Sequence, residues 1–428
     1  MGWKYNWMQW RYYHCKDEQV NKYRGLVQQE LGRAFAGRES SRVNHRKREI
    51  PIIVSLTSIP ERLSYVQYPI RCMLRQTIKP DKIVLYLNKE KLSDDKIPAE
   101  LLQLKDNGLE IVYVEDIGPH TKYFYALQTY GDCYVITVDD DILYGRTLIR
   151  DLLRTESQYR GAVCARRARA FRFTQQGIPY PYGSYPELTG RQPQEGNYLL
   201  ALGVGGVLYP PGCMDPAEFE LDNMRRLSYY TDDLWLKAME LLRGIKVVRA
   251  GGRGNRDICI QRTQEVALCK KNHAHGNDDN IKALFTQYDL FRFFAGSDWK
   301  VDAGKDAIVR RILMEWLSLY QKGLSIGDFL IKRGVRSAAI YGMARLGILL
   351  QFELEERGVE VRYGIDARGV NNVSLPVVRP EDIPEPVDLI IVTAVTDFLE
   401  LKSRLENYTD SRVEMLESII AELLFENT

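Results

Sequence analysis

The chain has 428 residues, 45% hydrophobic and 27% charged, an ordinary globular composition with length enough for two or three domains. Lys plus Arg number 59 against 57 Asp plus Glu, a net charge of +2, which excludes a polycation that holds nucleic acid by charge alone. Seven scattered cysteines without a C-x-x-C pair suit reduced thiols in the cytoplasm better than a disulfide frame or a zinc site.

Residues 1–49 are basic and aromatic. Trp3, Trp7 and Trp10 fall at i, i+4 and i+7, and Val20, Tyr23, Val27 and Leu31 continue at helical spacing before Arg42-Val-Asn-His-Arg-Lys-Arg48. Two readings fit: a peripheral contact with the anionic inner face of a membrane, or an amphipathic helix packed on the main domain and followed by a polar linker. No apolar run approaches the roughly 18 residues of a span, and the N-terminus lacks the apolar region expected of a signal peptide.

From residue 50 strands and helices alternate. Ile52 to Thr57 reads as a buried strand, and Ser58-Ile-Pro-Glu-Arg62 as a turn. Leu63, Val66, Ile70 and Leu74 mark a helix, bent or restarted at Pro69. Lys82 to Leu87 and Leu109 to Val114 are further strands, Lys122 to Tyr130 a helix, and Cys133 to Val138 a strand that ends in Asp139, Asp140 and Asp141. The pattern predicts an α/β domain with a mostly parallel sheet. Ligands of such sheets bind outside the carboxyl ends of the strands. Three adjacent carboxylates there repel one another unless a hard divalent cation sits among them. Asp139 and Asp141 therefore read as a D-x-D metal site, with a solvated acidic loop as the alternative.

Other nucleotide folds leave no trace in this half. No G-x-G-x-x-G follows the first strand and no P-loop occurs. A sugar nucleotidylyltransferase is expected to carry a Gly-rich loop with Arg and Lys where this chain has Ser55-Leu-Thr-Ser-Ile-Pro-Glu-Arg62. Further on, Gly203-Val-Gly-Gly-Val-Leu-Tyr-Pro-Pro211 reads as a loop whose glycines allow close approach of a ligand. Asp232 and Asp233 open a helix, Leu234 to Leu242, with Thr231 as its expected cap. His273 and His275 lie in the polar stretch Lys271 to Asp278.

The C-terminal part begins with a helical connector, residues 304–334, carrying Ile308, Ile312, Trp316 and Tyr320. A strand at Arg336 to Tyr341, a turn Gly342-Met-Ala-Arg-Leu-Gly347, a helix at Ile348 to Arg357 and a strand at Val359 to Ile365 tipped by Asp366 form a Rossmann-like pattern. Ala344 replaces the central glycine, and its methyl opposes close approach of a pyrophosphate, so NAD(P) is not an expected cofactor. Pro384 to Val395 supplies another buried strand. The expected organisation is an N-terminal segment 1–49, a first α/β domain 50–303, the connector 304–334 and a Rossmann-like domain 335–428.

Five segments in order resemble bacterial GT-A-fold glycosyltransferases: S-L-T-S-I-P-x-R, Gly118-Pro-His-Thr-Lys122, V-D-D-D, Gly203 to Pro211, and Thr231-Asp-Asp-Leu-Trp235. The resemblance covers roughly residues 50–295. It implies a nucleotide-diphosphate sugar donor, UDP-sugar as first choice, a saccharide or lipid-linked acceptor, and Mn²⁺ or Mg²⁺. In it Asp141 is the direct metal ligand and Asp139 faces the ribose or the metal shell. Thr57, Arg62, Lys122 and Asp140 contact the nucleotide or diphosphate, and Gly205 and Gly206 lie beside the sugar. His273 or His275 completes the metal shell. Asp232, then Asp233, is the expected general base. The function implied is sugar transfer to a hydroxyl in surface polysaccharide assembly. The alternatives are an NAD(P)-dependent oxidoreductase working through the C-terminal unit, or a C-terminal unit that serves homo-oligomerisation or ligand sensing.

Overall fold

A computed structural model describes residues 42–174, 177–216, 219–251, 257–260, 276–294, 305–366, 375–394 and 398–427. The Trp-rich helix expected near the N-terminus, and His273 and His275, lie outside these residues. Among the described residues no helix is long and apolar enough to cross a membrane. The chain divides into two compact units. Pro186–Leu290 belongs to the first with the described residues up to Ala170, and Phe171–Tyr185 belongs to the second with the described residues from Phe291 onward.

The first unit opens with β1 (Ile52–Thr57), α1 (Leu63–Leu74), β2 (Lys82–Asn88), α2 (Ala99–Leu102), β3 (Leu109–Val114), α3 (Thr121–Thr129) and β4 (Tyr134–Thr137). Then come β5 (Ile142–Leu143), α4 (Leu148–Gln158), β6 (Val163–Ala165), β7 (Ala168–Ala170), β8 (Gln194–Glu195), β9 (Leu199–Ala201) and β10 (Val207–Tyr209). It closes with α5 (Leu221–Ser228), α6 (Asp232–Leu242), β11 (Val247–Arg249), β12 (Ile258–Cys259) and α7 (Asn277–Gln287).

Eight strands form one sheet in the order β3-β2-β1-β4-β10-β6-β11-β8. β1, β2, β3 and β4 pair in parallel, as do β6 and β11, while β10 runs antiparallel to both β4 and β6. The carboxyl ends of β1, β4, β6 and β11 therefore share one edge. Because β10 is reversed, its first residue and the glycines before it reach that same edge. Val54, Leu56, Ile83, Leu85 and Ile136 are buried on the sheet, and α1 covers it with Val66, Ile70 and Met73. Apolar runs of this kind suit strands covered on both faces.

Three details depart from expectation. α1 runs on through Pro69 and does not restart there; Pro69 is buried with Val66, Ile70 and Met73 of the same helix, where tertiary packing outweighs the missing N–H. Val207–Tyr209, expected as loop, is a sheet strand. Thr231 occupies the N-cap position of α6 without a side-chain cap bond. Its hydroxyl instead meets Ser228 Oγ at 2.6 Å and accepts from Asn280 Nδ2 at 2.8 Å.

α6 also carries a buried ion pair, Lys237 Nζ to Glu240 Oε2 at 3.4 Å, with both side chains almost without exposure. Burial pushes the Glu240 carboxyl up to about 7 and the Lys237 ammonium down. Glu240→Gln strands a buried cation, an expected loss of about 3–5 kcal/mol. Replacing both by Met and Leu is expected to be neutral or stabilising. Denaturant unfolding of the two variants checks this; equal losses in both would show that the pair acts through packing alone.

The second unit carries β13 (Ser337–Tyr341), β14 (Glu360–Ile365), β15 (Val377–Val378), β16 (Leu389–Val392) and β17 (Arg412–Met415), with helices α8 (Lys305–Gln321), α9 (Ile326–Lys332), α10 (Arg345–Glu356), α11 (Phe398–Leu405) and α12 (Leu416–Glu426). Its parallel sheet has the order β15-β14-β13-β16-β17, the doubly wound 3-2-1-4-5 arrangement. Alternate residues take opposite faces. Ala338, Ile340, Leu389 and Ile391 pack with residues of α8, α9, α10 and α12, whereas Ala339, Ile390 and Val392 pack with Phe398, Leu401 and Leu405 of α11. Residues 305–332, expected as a connector, thus contribute to the core of this unit. So does the 171–185 segment: Tyr180 Oη donates to Glu417 at 2.9 Å, and the Phe173 ring stacks on Phe294 at 4.0 Å.

The glycine turn of this unit is required by its own backbone. Gly342 has φ +94, and a Cβ on Gly347 would sit 2.4 Å from the Gly342 carbonyl oxygen. These glycines need no dinucleotide to explain them.

Candidate active site

The carboxyl edge of the first sheet gathers the charged residues of four segments. Lys122, in the first turn of α3, is buried, and its Nζ lies 2.8 Å from Asp139 Oδ1 and 2.9 Å from Asp232 Oδ2. One ammonium thus ties the tip of β4 to the start of α6. Burial pulls its pKa down, but the carboxylates of Asp139, Asp232 and Asp233 outweigh burial and hold it well above the usual lysine value. Lys122 is a fixed positive charge.

Arg62 makes the second link. Its Nη1 lies 2.8 Å from Asp140 Oδ1 and 3.3 Å from Asp141 Oδ2. Ser58 Oγ donates to the other Asp140 oxygen at 2.6 Å. Burial raises the Asp140 pKa despite Arg62 and Ser58, and those two contacts hold the side chain in place. Thr57 ends β1, with its hydroxyl donating to the Tyr86 carbonyl at 2.9 Å.

Tyr144 fastens the acidic tip to the glycine segment. Its hydroxyl accepts from the Asp139 N–H at 2.8 Å and donates to the Val204 carbonyl at 3.2 Å. Asp233 Oδ1 accepts from the Gly203 N–H at 2.9 Å. Burial first, and the neighbouring Asp232 charge second, raise the Asp233 pKa well above the usual carboxylate value. His120 is structural: buried, it donates from Nε2 to the Ser228 carbonyl and shares a 2.7 Å bond with Tyr123 Oη.

The glycines divide by role. A Cβ on Gly203 would lie 2.7 Å from Lys122 Nζ and 3.0 Å from Asp233 Oδ1. Gly205 is hemmed in by the Arg167 side chain, and Gly206, at φ +84, by Leu148. The glycine in contact with the charged cluster is therefore Gly203, while Gly205 and Gly206 meet packing side chains. Gly203→Ala is expected to push the lysine off its carboxylates, to lower the affinity for a nucleotide diphosphate at least tenfold, and to lower the melting temperature as well, because a buried ion pair is disturbed. Titration of UDP with Mn²⁺ checks this, and unchanged affinity would show that Lys122 tolerates displacement.

Sequence reasoning missed Ser58, Tyr144 and Gly203 as individual contributors, although each lies in a segment that stood out. The signal for Tyr144 was its place three residues beyond Asp141. Which groups it bridges is set by through-space pairing.

Among the described residues no three of His, Cys, Asp and Glu converge as a ligand cluster for a metal. Mg²⁺ is commonly held by one or two carboxylates together with substrate phosphates rather than by an all-protein cage, and Asp139 and Asp141 offer two carboxylates.

No family model matches the chain, and no curated protein matches it. Among solved structures it is similar to CMP:2-keto-3-deoxy-manno-octonic acid synthetase complexed with CTP, at 12% identity and a TM-score of 0.31, over 52% of this chain and 99% of that one. A likeness at that level bears on no residue of the site.

Proposed function

We propose that the first unit is a metal-dependent glycosyltransferase of the GT-A type, moving a sugar from a nucleotide-diphosphate donor to an acceptor hydroxyl. The observation that carries this reading is the paired arrangement Arg62–Asp140/Asp141 and Asp139–Lys122–Asp232 at the carboxyl edge of the sheet. Carboxylates and fixed cations alternate there, which suits a metal–diphosphate group and its departing charge. Asp139 and Asp141 would hold Mn²⁺ or Mg²⁺, which as a Lewis acid neutralises the diphosphate. Arg62 offers a planar donor fork and Lys122 a point charge to phosphate oxygens.

The acceptor hydroxyl needs a base. Asp232 is engaged with the Lys122 ammonium at 2.9 Å. Asp233 has a raised proton affinity, which suits general-base work near neutral pH better. The base therefore moves from Asp232, the first choice on sequence, to Asp233, and Asp232 becomes a positioning residue for Lys122. In a single displacement, Asp233 takes the hydroxyl proton as the oxygen bonds to the anomeric carbon. The bond from that carbon to the diphosphate breaks, and its electron pair leaves with the phosphate oxygen.

A doubly wound sheet in the second unit keeps the oxidoreductase reading open as a rival. One thermal-shift panel separates the two. UDP-sugars with Mn²⁺ are expected to raise the melting temperature, an effect abolished by EDTA, and NAD and NADP to leave it unchanged. A response to NAD or NADP alone would put the oxidoreductase first.

A further inference from the structure

A cleft of about 750 Å³ opens on the first unit beside the carboxylate cluster. Arg146, Arg150, Arg154, Arg166 and Arg191 line it, against one lining carboxylate, Asp151. Arg150 and Arg154 stand on one face of α4, a turn apart. Arg166 follows β6, and its Nη1 is buried without a hydrogen-bond partner among the described residues. Its Nη2 lies 3.6 Å from Asp151 Oδ2, and Arg150 Nη2 lies 2.8 Å from the other oxygen of the same carboxylate. The Arg249 guanidinium secures the opposite wall, donating to the carbonyls of Gly190 and Gln192 and to Gln194 Oε1.

The cleft adjoins the candidate active site. Tyr144 lines it and also holds the Asp139 N–H and the Val204 carbonyl. The Arg166 N–H donates to the Gly206 carbonyl at 3.2 Å. β6 and β11, whose carboxyl ends lead into the cleft, lie two and three strands from β4. At the usual strand spacing that is roughly 10–15 Å from the acidic tip, a gap a short saccharide spans.

We propose that this cleft binds the phosphate of a phosphate-bearing acceptor and presents its hydroxyl to the transfer site. Five guanidinium groups offer paired donors that match phosphate oxygens. A neutral saccharide leaves their excess charge without counterpart. The acceptor role rests on the transfer reading above, whereas anion binding does not. The phosphate source is either a lipid-linked diphosphate or the phosphodiester of an anionic glycan.

Calorimetry on the full chain tests this with pyrophosphate in EDTA, and separately with UDP and Mn²⁺. The wild type is expected to bind pyrophosphate without a metal ion. The exposed double variant Arg150→Gln/Arg154→Gln is expected to lose at least tenfold in pyrophosphate affinity while keeping its UDP affinity. Farnesyl pyrophosphate in detergent micelles and a soluble glycerol-phosphate oligomer then identify the source by which binds more tightly. An unchanged variant, or no pyrophosphate binding by the wild type, overturns the proposal. So does a loss of UDP affinity in the variant, because the cleft would then belong to the donor. Arginine-dependent pyrophosphate binding without any UDP binding leaves the anion cleft standing and removes the transferase reading.

Discussion

Asp141→Asn is expected to abolish Mn²⁺-dependent binding of UDP, with a loss above about 100-fold, since even outer-shell partners of a metal are worth 10–100-fold. The fold should survive. Asp141 is a side chain at a strand tip, sharing Arg62 Nη1 at 3.3 Å, and the stronger 2.8 Å bond of that guanidinium goes to Asp140. Asn keeps the size of Asp and removes the charge. Asp140→Asn provides the contrast. That carboxylate is buried between Ser58 and Arg62, so its loss is expected to lower the melting temperature as well as the affinity. Calorimetry with UDP and Mn²⁺, read beside thermal unfolding, separates the two. Undiminished Mn²⁺-dependent binding by the Asp141 variant, or wild-type transfer in excess EDTA, would remove the metal assignment.

Much of the first unit was legible because its early strands are short apolar runs separated by polar turns. The run Ile52–Thr57 is buried at its first five positions, and no helix face gives that pattern. β10 was not legible. Three residues, Val207-Leu-Tyr209, sit between glycines and prolines, and only the two neighbouring strands make them a strand. β6 and β11 are likewise three residues each, too short for any periodicity. The 171–185 segment lies far along the chain from the rest of the second unit, and contacts such as Tyr180 with Glu417 leave no local mark. At the site, residue types were readable because charge at a strand tip has few structural uses. Their pairing was not. That Lys122 spans Asp139 and Asp232, that Ser58 holds Asp140, and that Gly203 rather than Gly205 or Gly206 meets the cluster are consequences of chain crossing. The cap expected of Thr231 failed for the same reason, since Ser228 and Asn280 compete for its hydroxyl.

Asp233→Asn is expected to cut turnover roughly 10²–10⁴-fold, the usual contribution of a general base, with affinity for UDP and Mn²⁺ little changed. The pH profile carries the sharper test. A base works only when deprotonated, and burial together with the Asp232 charge raises the Asp233 pKa. The wild-type rate should therefore fall on the acid side at a pH above the ordinary carboxylate range. Asp232→Asn removes that neighbouring negative charge, so the Asp233 pKa drops and the acid limb moves to lower pH. The same change takes one partner from Lys122, which still keeps Asp139 at 2.8 Å, so donor affinity should change by less than in the Asp141 variant. A structural role for Asp233, holding the Gly203 N–H, would lower stability and leave the acid limb where it was. If the limb disappears with Asp232→Asn, and Asp233→Asn alters only KM, then Asp232 is the base and Asp233 holds the loop.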